Sequence, residues 1–155
     1  MDQNPWAQGD IMNFDITLTG EQLKGTVVLE DKDTSNWRVK SETDPQATFT
    51  YGVKDSKLNF TLTGKSPVVS GDVALVAGYD AGTNPDTLIG YGTTDASGVI
   101  TMSTNSVDLG KDLISAKLWL IPKGDWDSTG NKVIGWHMSK YLWETGLIDY
   151  YDTDL

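Results

Sequence analysis

A chain of 155 residues suits one domain large enough to bury a real core, and without cysteine it has no disulfides, zinc–thiolate sites or thiol nucleophiles. The formal charge is −10 and Arg38 is the only arginine, which argues against a nucleic-acid partner, because phosphate contacts need a basic surface. No apolar run is long enough to span a membrane as a helix.

In chain order, residues 1–13 form a polar arm that contains Trp6, ahead of a single domain over 14–155. The opening MDQNPWAQGD has neither a basic n-region nor an apolar h-region, so an extracellular location implies a signal already removed from this chain. The arm is expected to stay loose or to add a strand to a neighbouring subunit, since an open sheet edge accepts an extended segment.

From there apolar and polar residues alternate, the mark of half-buried strands. Phe14, Ile16 and Leu18 form the first set, then Val27 and Leu29, then Trp37 and Val39, with Trp37 read as a core residue of its strand. Ala47, Phe49, Tyr51 and Val53 follow, and across the turn KDSK come Leu58, Phe60 and Leu62. Val73, Leu75, Ala77 and Tyr79 lead to a short LIGYG strand, to Val99–Met102 and to Ala116, Leu118 and Leu120.

The intervening EDKDTSN, TDPQ, KDSK, GYDAGTNPD, TTDASG and KGDWDSTGN are turn chemistry, in keeping with an acidic complement of 22 residues of which only Glu21, Glu30, Glu42 and Glu144 are glutamate. In GTTDASGVITM, Asp95 and Gly98 are placed to make a hairpin. ITLTG before GTVVL, and FTLTG before GDVAL, read as two copies of one hairpin, although Thr-rich strands resemble one another by composition alone. In HMSKYLWETGLI, Ser139 is expected to cap a two-turn helix that Gly146 ends. The sum is an all-β fold, an antiparallel β-sandwich of about eight or nine strands, immunoglobulin-like or prealbumin-like, with one short C-terminal helix.

The chemistry-bearing residues are few. From Asp125, the run Asp125, Asp127, Thr129 and Gly130 starts like an EF-hand loop, but Trp136 stands where the bidentate glutamate belongs. A looser calcium site would draw on Asp125 and Asp127 with Asp80 and Asp86, or with Asp149, Asp152 and Asp154 of the tail; the plainer reading is a long Asp- and Gly-rich hairpin turn. His137 is the only histidine, with no motif to supply a nucleophile or an orienting carboxylate, and reads as structural or partly exposed. A carboxylate pair for glycoside hydrolysis is a remote alternative, since such residues meet only in three dimensions.

Six tryptophans are rich for an acidic domain. Trp119, out of phase with Leu118 and Leu120, Trp126 in the acidic loop and Trp6 in the arm are candidate contact residues for sugar rings or proteins. The alternative for Trp119 is packing beneath the expected helix against Tyr141 or Trp143. Asn59-Phe60-Thr61 is an N-glycosylation pattern with Asn59 on the outward face of its strand.

The segments LTGEQLKGTVVLEDKDTSNWRVK, SGDVALVAGYDAGTNPDTLIGYGTTDASGVITMSTNSVDLG, SAKLWLIP and GWHMSKYLWETGLIDYYDTD resemble secreted or cell-surface β-sandwich proteins of methanogenic archaea and some bacteria. The TTDASG hairpin looks like those of prealbumin-like and immunoglobulin-like surface modules. The resemblance implies an extracellular or surface domain without a known enzymatic role. The expected function is a structural or adhesive subunit whose partners are other subunits or surface polymers. The alternative is a carbohydrate-binding module with a structural calcium ion.

Overall fold

The computed structural model describes residues 23–40, 45–79 and 85–152. The arm with Trp6, the Phe14–Leu18 strand, Asp80 and Asp154 lie outside the described residues. Among the described residues thirteen strands follow in order: β1 (Leu23–Glu30), β2 (Lys32–Asp33), β3 (Arg38–Val39), β4 (Gln46–Lys54), β5 (Lys57–Lys65), β6 (Asp72–Gly78), β7 (Thr87–Thr93), β8 (Val99–Val107), β9 (Leu113–Pro122), β10 (Trp126–Asp127), β11 (Lys132–Val133), β12 (Leu142–Glu144) and β13 (Ile148–Tyr150).

One antiparallel sheet runs β7-β6-β9-β12-β1-β4-β5-β8, with β13 also pairing β9; β2–β3 and β10–β11 are separate two-stranded ribbons. The two ends of that path, β7 and β8, are neighbours in the chain. The Asp95 hairpin joins them, and a bridge between Thr94 and Ile100 draws them together, so the nine-stranded sheet nearly closes into a barrel-like shape. Near-closure leaves little bare edge, the usual liability of a sheet this large.

The alternating residues fill the interior: Val27, Leu29, Phe49, Tyr51, Leu58, Leu62, Val73, Leu75, Leu118 and Leu120 are all buried in one core. The turns behave as their residues require. Asp55 and Ser56 both take positive φ in the two-residue link between β4 and β5, the conformation that matches strand twist. In the β7–β8 hairpin Asp95 Oδ1 accepts from the N–H groups of Ser97 and Val99, and Gly98 supplies φ +77°.

A second apolar cluster lies on the opposite face of β6, β9 and β12. Ala74, Val76, Trp119, Ile121, Tyr141 and Trp143 pack there under Trp126 and Val133 of the β10–β11 hairpin. These strands are therefore buried on both faces, which explains the unbroken apolar runs VALVAG and LWLIP.

The same double burial corrects the expected helix. Residues Met138–Lys140 make only a 3₁₀ turn and Leu142–Glu144 form β12, pairing Leu142 with Leu120 and Trp143 with Trp119. Leu142 enters the inner core while Tyr141 and Trp143 enter the outer one. Three consecutive side chains buried on alternating sides demand a strand, because a helix puts neighbours only 100° apart on one surface.

Two further readings change. Trp37 is about half exposed, at positive φ in the β2–β3 turn rather than within a strand. The paired-hairpin repeat also fails: Gly64 lies inside β5 opposite Ala47, and β5 pairs β4 and β8 while β6 pairs β7 and β9.

Tyr150 ties the far end of the barrel, its hydroxyl donating to Ser56 O and accepting from Leu109 N–H. Tyr150→Phe leaves both groups without this partner in a buried site. It is expected to cost about 2 kcal/mol and to lower Tm by roughly 4–8 °C in a thermal melt.

Candidate binding cleft

Between β9 and β12 the chain leaves the sheet at Pro122 and folds back across its outer face before returning at Tyr141. Two buried carboxylates fasten this excursion. Asp125 accepts from Tyr141 Oη at 2.7 Å, from His137 N–H at 3.3 Å and from His137 Nδ1 at 2.7 Å, while its carbonyl accepts from Ile134 N–H. Asp86 accepts from Val133 N–H at 3.2 Å, and its own N–H donates to Asn131 O.

Burial pushes the Asp125 carboxyl upward, but the hydrogen bonds from Tyr141 and His137 outweigh it and hold its pKa below the ordinary aspartate value. Asp86 has one such donor, and burial raises its pKa. The Tyr141 hydroxyl is pushed well above the usual range, first by burial and then by donating to Asp125. With Asp125 ionised and acceptor-only, His137 Nδ1 carries the proton of their hydrogen bond.

The geometry presents Trp136. Between the Asp125 contacts, Gly135 at φ +76° and Trp136 at φ +42° make a tight reversal, and a Cβ on Gly135 would come within 2.9 Å of Asp125 Oδ1. Trp136 thereby stands against Trp119, ring centroids 6.4 Å apart, and Trp119 against Trp143 at 5.6 Å. On the other side Trp37 meets Trp143 edge-on at 5.1 Å and 87°.

The four indoles, together with Met138, Lys32, Lys117 and Glu144, line an open cleft of about 390 Å³. Trp119 and Trp143 form its buried floor; Trp37 at 52% and Trp136 at 37% exposure form its walls. Lys32 Nζ donates to Glu144 O at 2.6 Å. Two polar atoms of the lining, Glu144 Oε2 and Trp143 Nε1, are buried without a hydrogen-bond partner. Burial raises the Glu144 pKa, opposed by its own backbone N–H, by Lys32 and Lys117, and by the Trp119 indole.

The expected site residues scatter. Trp119 reaches the cleft as its floor, packed on Trp143 as the alternative reading had it. Trp126, expected at a contact surface, is buried as a member of the outer cluster. Asp127 caps its own hairpin, accepting from Thr129 N–H. Asp125 and Asp86 serve protein donors, and among the described residues no three His, Cys, Asp or Glu side chains stand close enough to hold a metal ion. Asn59 is half-buried in a shallow groove beside Lys24, Thr50, Thr61 and Asn105. Trp37, Trp136 and Trp143 were not recognised as site residues from the sequence; their only signal was tryptophan abundance.

Removing Asp125 strands three donors. Asp125→Asn is expected to cost roughly 2–4 kcal/mol at neutral pH. Because the folded pKa is depressed, that stability is present above the unfolded value near 3.9 and lost as pH falls through the folded one, so melts of variant and parent converge below about pH 4. Glu144 has the opposite sign: its raised pKa makes ionisation unfavourable as pH rises above about 4.3, so Glu144→Gln should raise Tm at pH 7 and not at pH 4.

Compared with known proteins, the chain matches no family model, no curated protein and no solved structure, so the cleft is read from its own residues.

Proposed function

We propose that this chain is a non-enzymatic recognition domain, extracellular or at a cell surface, that binds carbohydrate in the tryptophan cleft and acts as an adhesive module. The observation that carries the reading is the run of four mutually edge-packed indoles around an open cleft, two walls of which face solvent. Aromatic faces suit the C–H faces of sugar rings, and the hydroxyls of a sugar are both donors and acceptors.

A catalytic reading has less support. Glu144 is the one carboxylate among the cleft's described lining residues, whereas glycoside hydrolysis ordinarily uses two. At the level of fold, the layering of an inner and an outer apolar cluster supports a place among sandwich-type surface modules of immunoglobulin-like or prealbumin-like kind.

Titration of a glycan panel, followed by tryptophan fluorescence, tests the proposal. At least one oligosaccharide series should shift the emission, and Trp37→Ala and Trp136→Ala should each weaken its binding about tenfold or more while leaving Tm within a few degrees. A panel that never perturbs the emission would overturn it.

A further inference from the structure

We infer that the cleft clamps one pyranose ring of its saccharide on both faces, between Trp37 and Trp136, and so selects β-linked sugars whose ring substituents are all equatorial. The inference rests on the carbohydrate reading and narrows it by ring stereochemistry.

Exposure decides which indoles a ligand meets. Trp119 and Trp143 are only 3% and 6% exposed, whereas Trp37 is 52% and Trp136 37% exposed. A sugar lying flat on the floor would find almost no indole surface, because the accessible ring area stands in the walls. Those walls pack on different floor indoles. Trp37 meets Trp143 with 87° between ring planes, Trp136 meets Trp119 at 63°, and the two floor rings lie 5.6 Å apart. A pyranose that uses both walls stands on edge above the floor and gives one face to each.

Both walls are fastened, and each by an aspartate. The Asp125 contacts fix the reversal that carries Trp136. Trp37 sits at φ +60° in the β2–β3 turn, where its N–H donates to Asp33 O at 2.6 Å. Asp33 Oδ1 accepts from Ser35 N–H at 2.9 Å and from Ser35 Oγ at 2.7 Å, and Asp33 Oδ2 accepts from Asn36 Nδ2 at 3.3 Å. Walls fixed in this way form a pre-organised slot, which discriminates by shape more sharply than a loose one.

In a β-linked pyranose of gluco or xylo configuration the hydroxyls and linkages point outward around the ring, and only C–H bonds project from its two faces. Both faces then suit an indole. The manno and galacto configurations each turn one hydroxyl axial, at the second or the fourth ring carbon, so that it projects from one face. Pressed against an indole, that hydroxyl loses water and gains no ordinary hydrogen-bond partner. A one-sided platform tolerates such an epimer through its other face, and a two-walled slot does not.

The test is a titration of the intact protein with cellohexaose, laminarihexaose, xylohexaose and chitohexaose, all of them equatorial. Beside them stand mannohexaose with the cellulose-type linkage and galactohexaose with the laminarin-type linkage. Tryptophan emission is the readout. The tightest all-equatorial probe should bind about tenfold or more tightly than either epimer. Trp37→Ala and, independently, Trp136→Ala should bring that probe and the epimers to within about threefold of one another, since one face is then free. Trp37→Tyr, which keeps a ring in the wall, should retain the preference. An epimer that binds the parent protein as tightly as the best all-equatorial probe, or a preference that survives loss of either wall, would overturn this inference and leave the carbohydrate reading intact. If no saccharide perturbs the emission, both fall.

Discussion

The Asp125 carboxylate is the contact on which the cleft depends. Its two oxygens receive Tyr141 Oη, the His137 backbone N–H and the His137 ring, which fixes both ends of the reversal that carries Trp136. Gly135 and Trp136 both take positive φ, a conformation rare for a bulky residue such as Trp136, and it persists only where surrounding bonds over-determine it. Without that fastening, Trp136 has no fixed place beside Trp119, and one wall of the cleft goes with it.

The fastening works because the sheet beneath is packed on both sides. β6, β9 and β12 bury one row of side chains inside the barrel and a second row under the 123–141 excursion. Tyr141 and Trp143 are anchored in the outer layer, so the aromatic floor is a continuation of a core rather than a patch laid on a surface. Its rings are held at fixed angles by neighbours on two sides, which pre-organises the cleft and lowers the ordering cost of binding.

Polar groups divide along the same lines. Asp86, Asp125 and Asp127 spend their acceptors on backbone and side-chain donors of the hairpin and reversal, and so have structural roles. Among the described residues, buried side-chain atoms without a hydrogen-bond partner include Glu144 Oε2 and Trp143 Nε1 of the cleft lining, and Thr87 Oγ1 and Trp126 Nε1 away from it.

Period-two alternation was enough to determine the all-β class, the inward sets Val27–Leu29, Phe49–Tyr51–Val53, Leu58–Leu62 and Leu118–Leu120, and the Asp95–Gly98 hairpin, because these depend only on neighbours within a strand or a turn. It also placed Trp119 on the face opposite Leu118. Whether that face meets water or protein depends on the chain returning from Tyr141, and no local pattern encodes such a return. The helix expected at Ser139 failed for the same reason: burial on both sides made β12 out of residues whose local sequence allowed a helix. The cleft was least legible of all, since Lys32, Trp37, Lys117, Trp136 and Glu144 come from distant parts of the chain. Only the tertiary packing of β2, β9, β12 and the Asp125 reversal brings them into one wall.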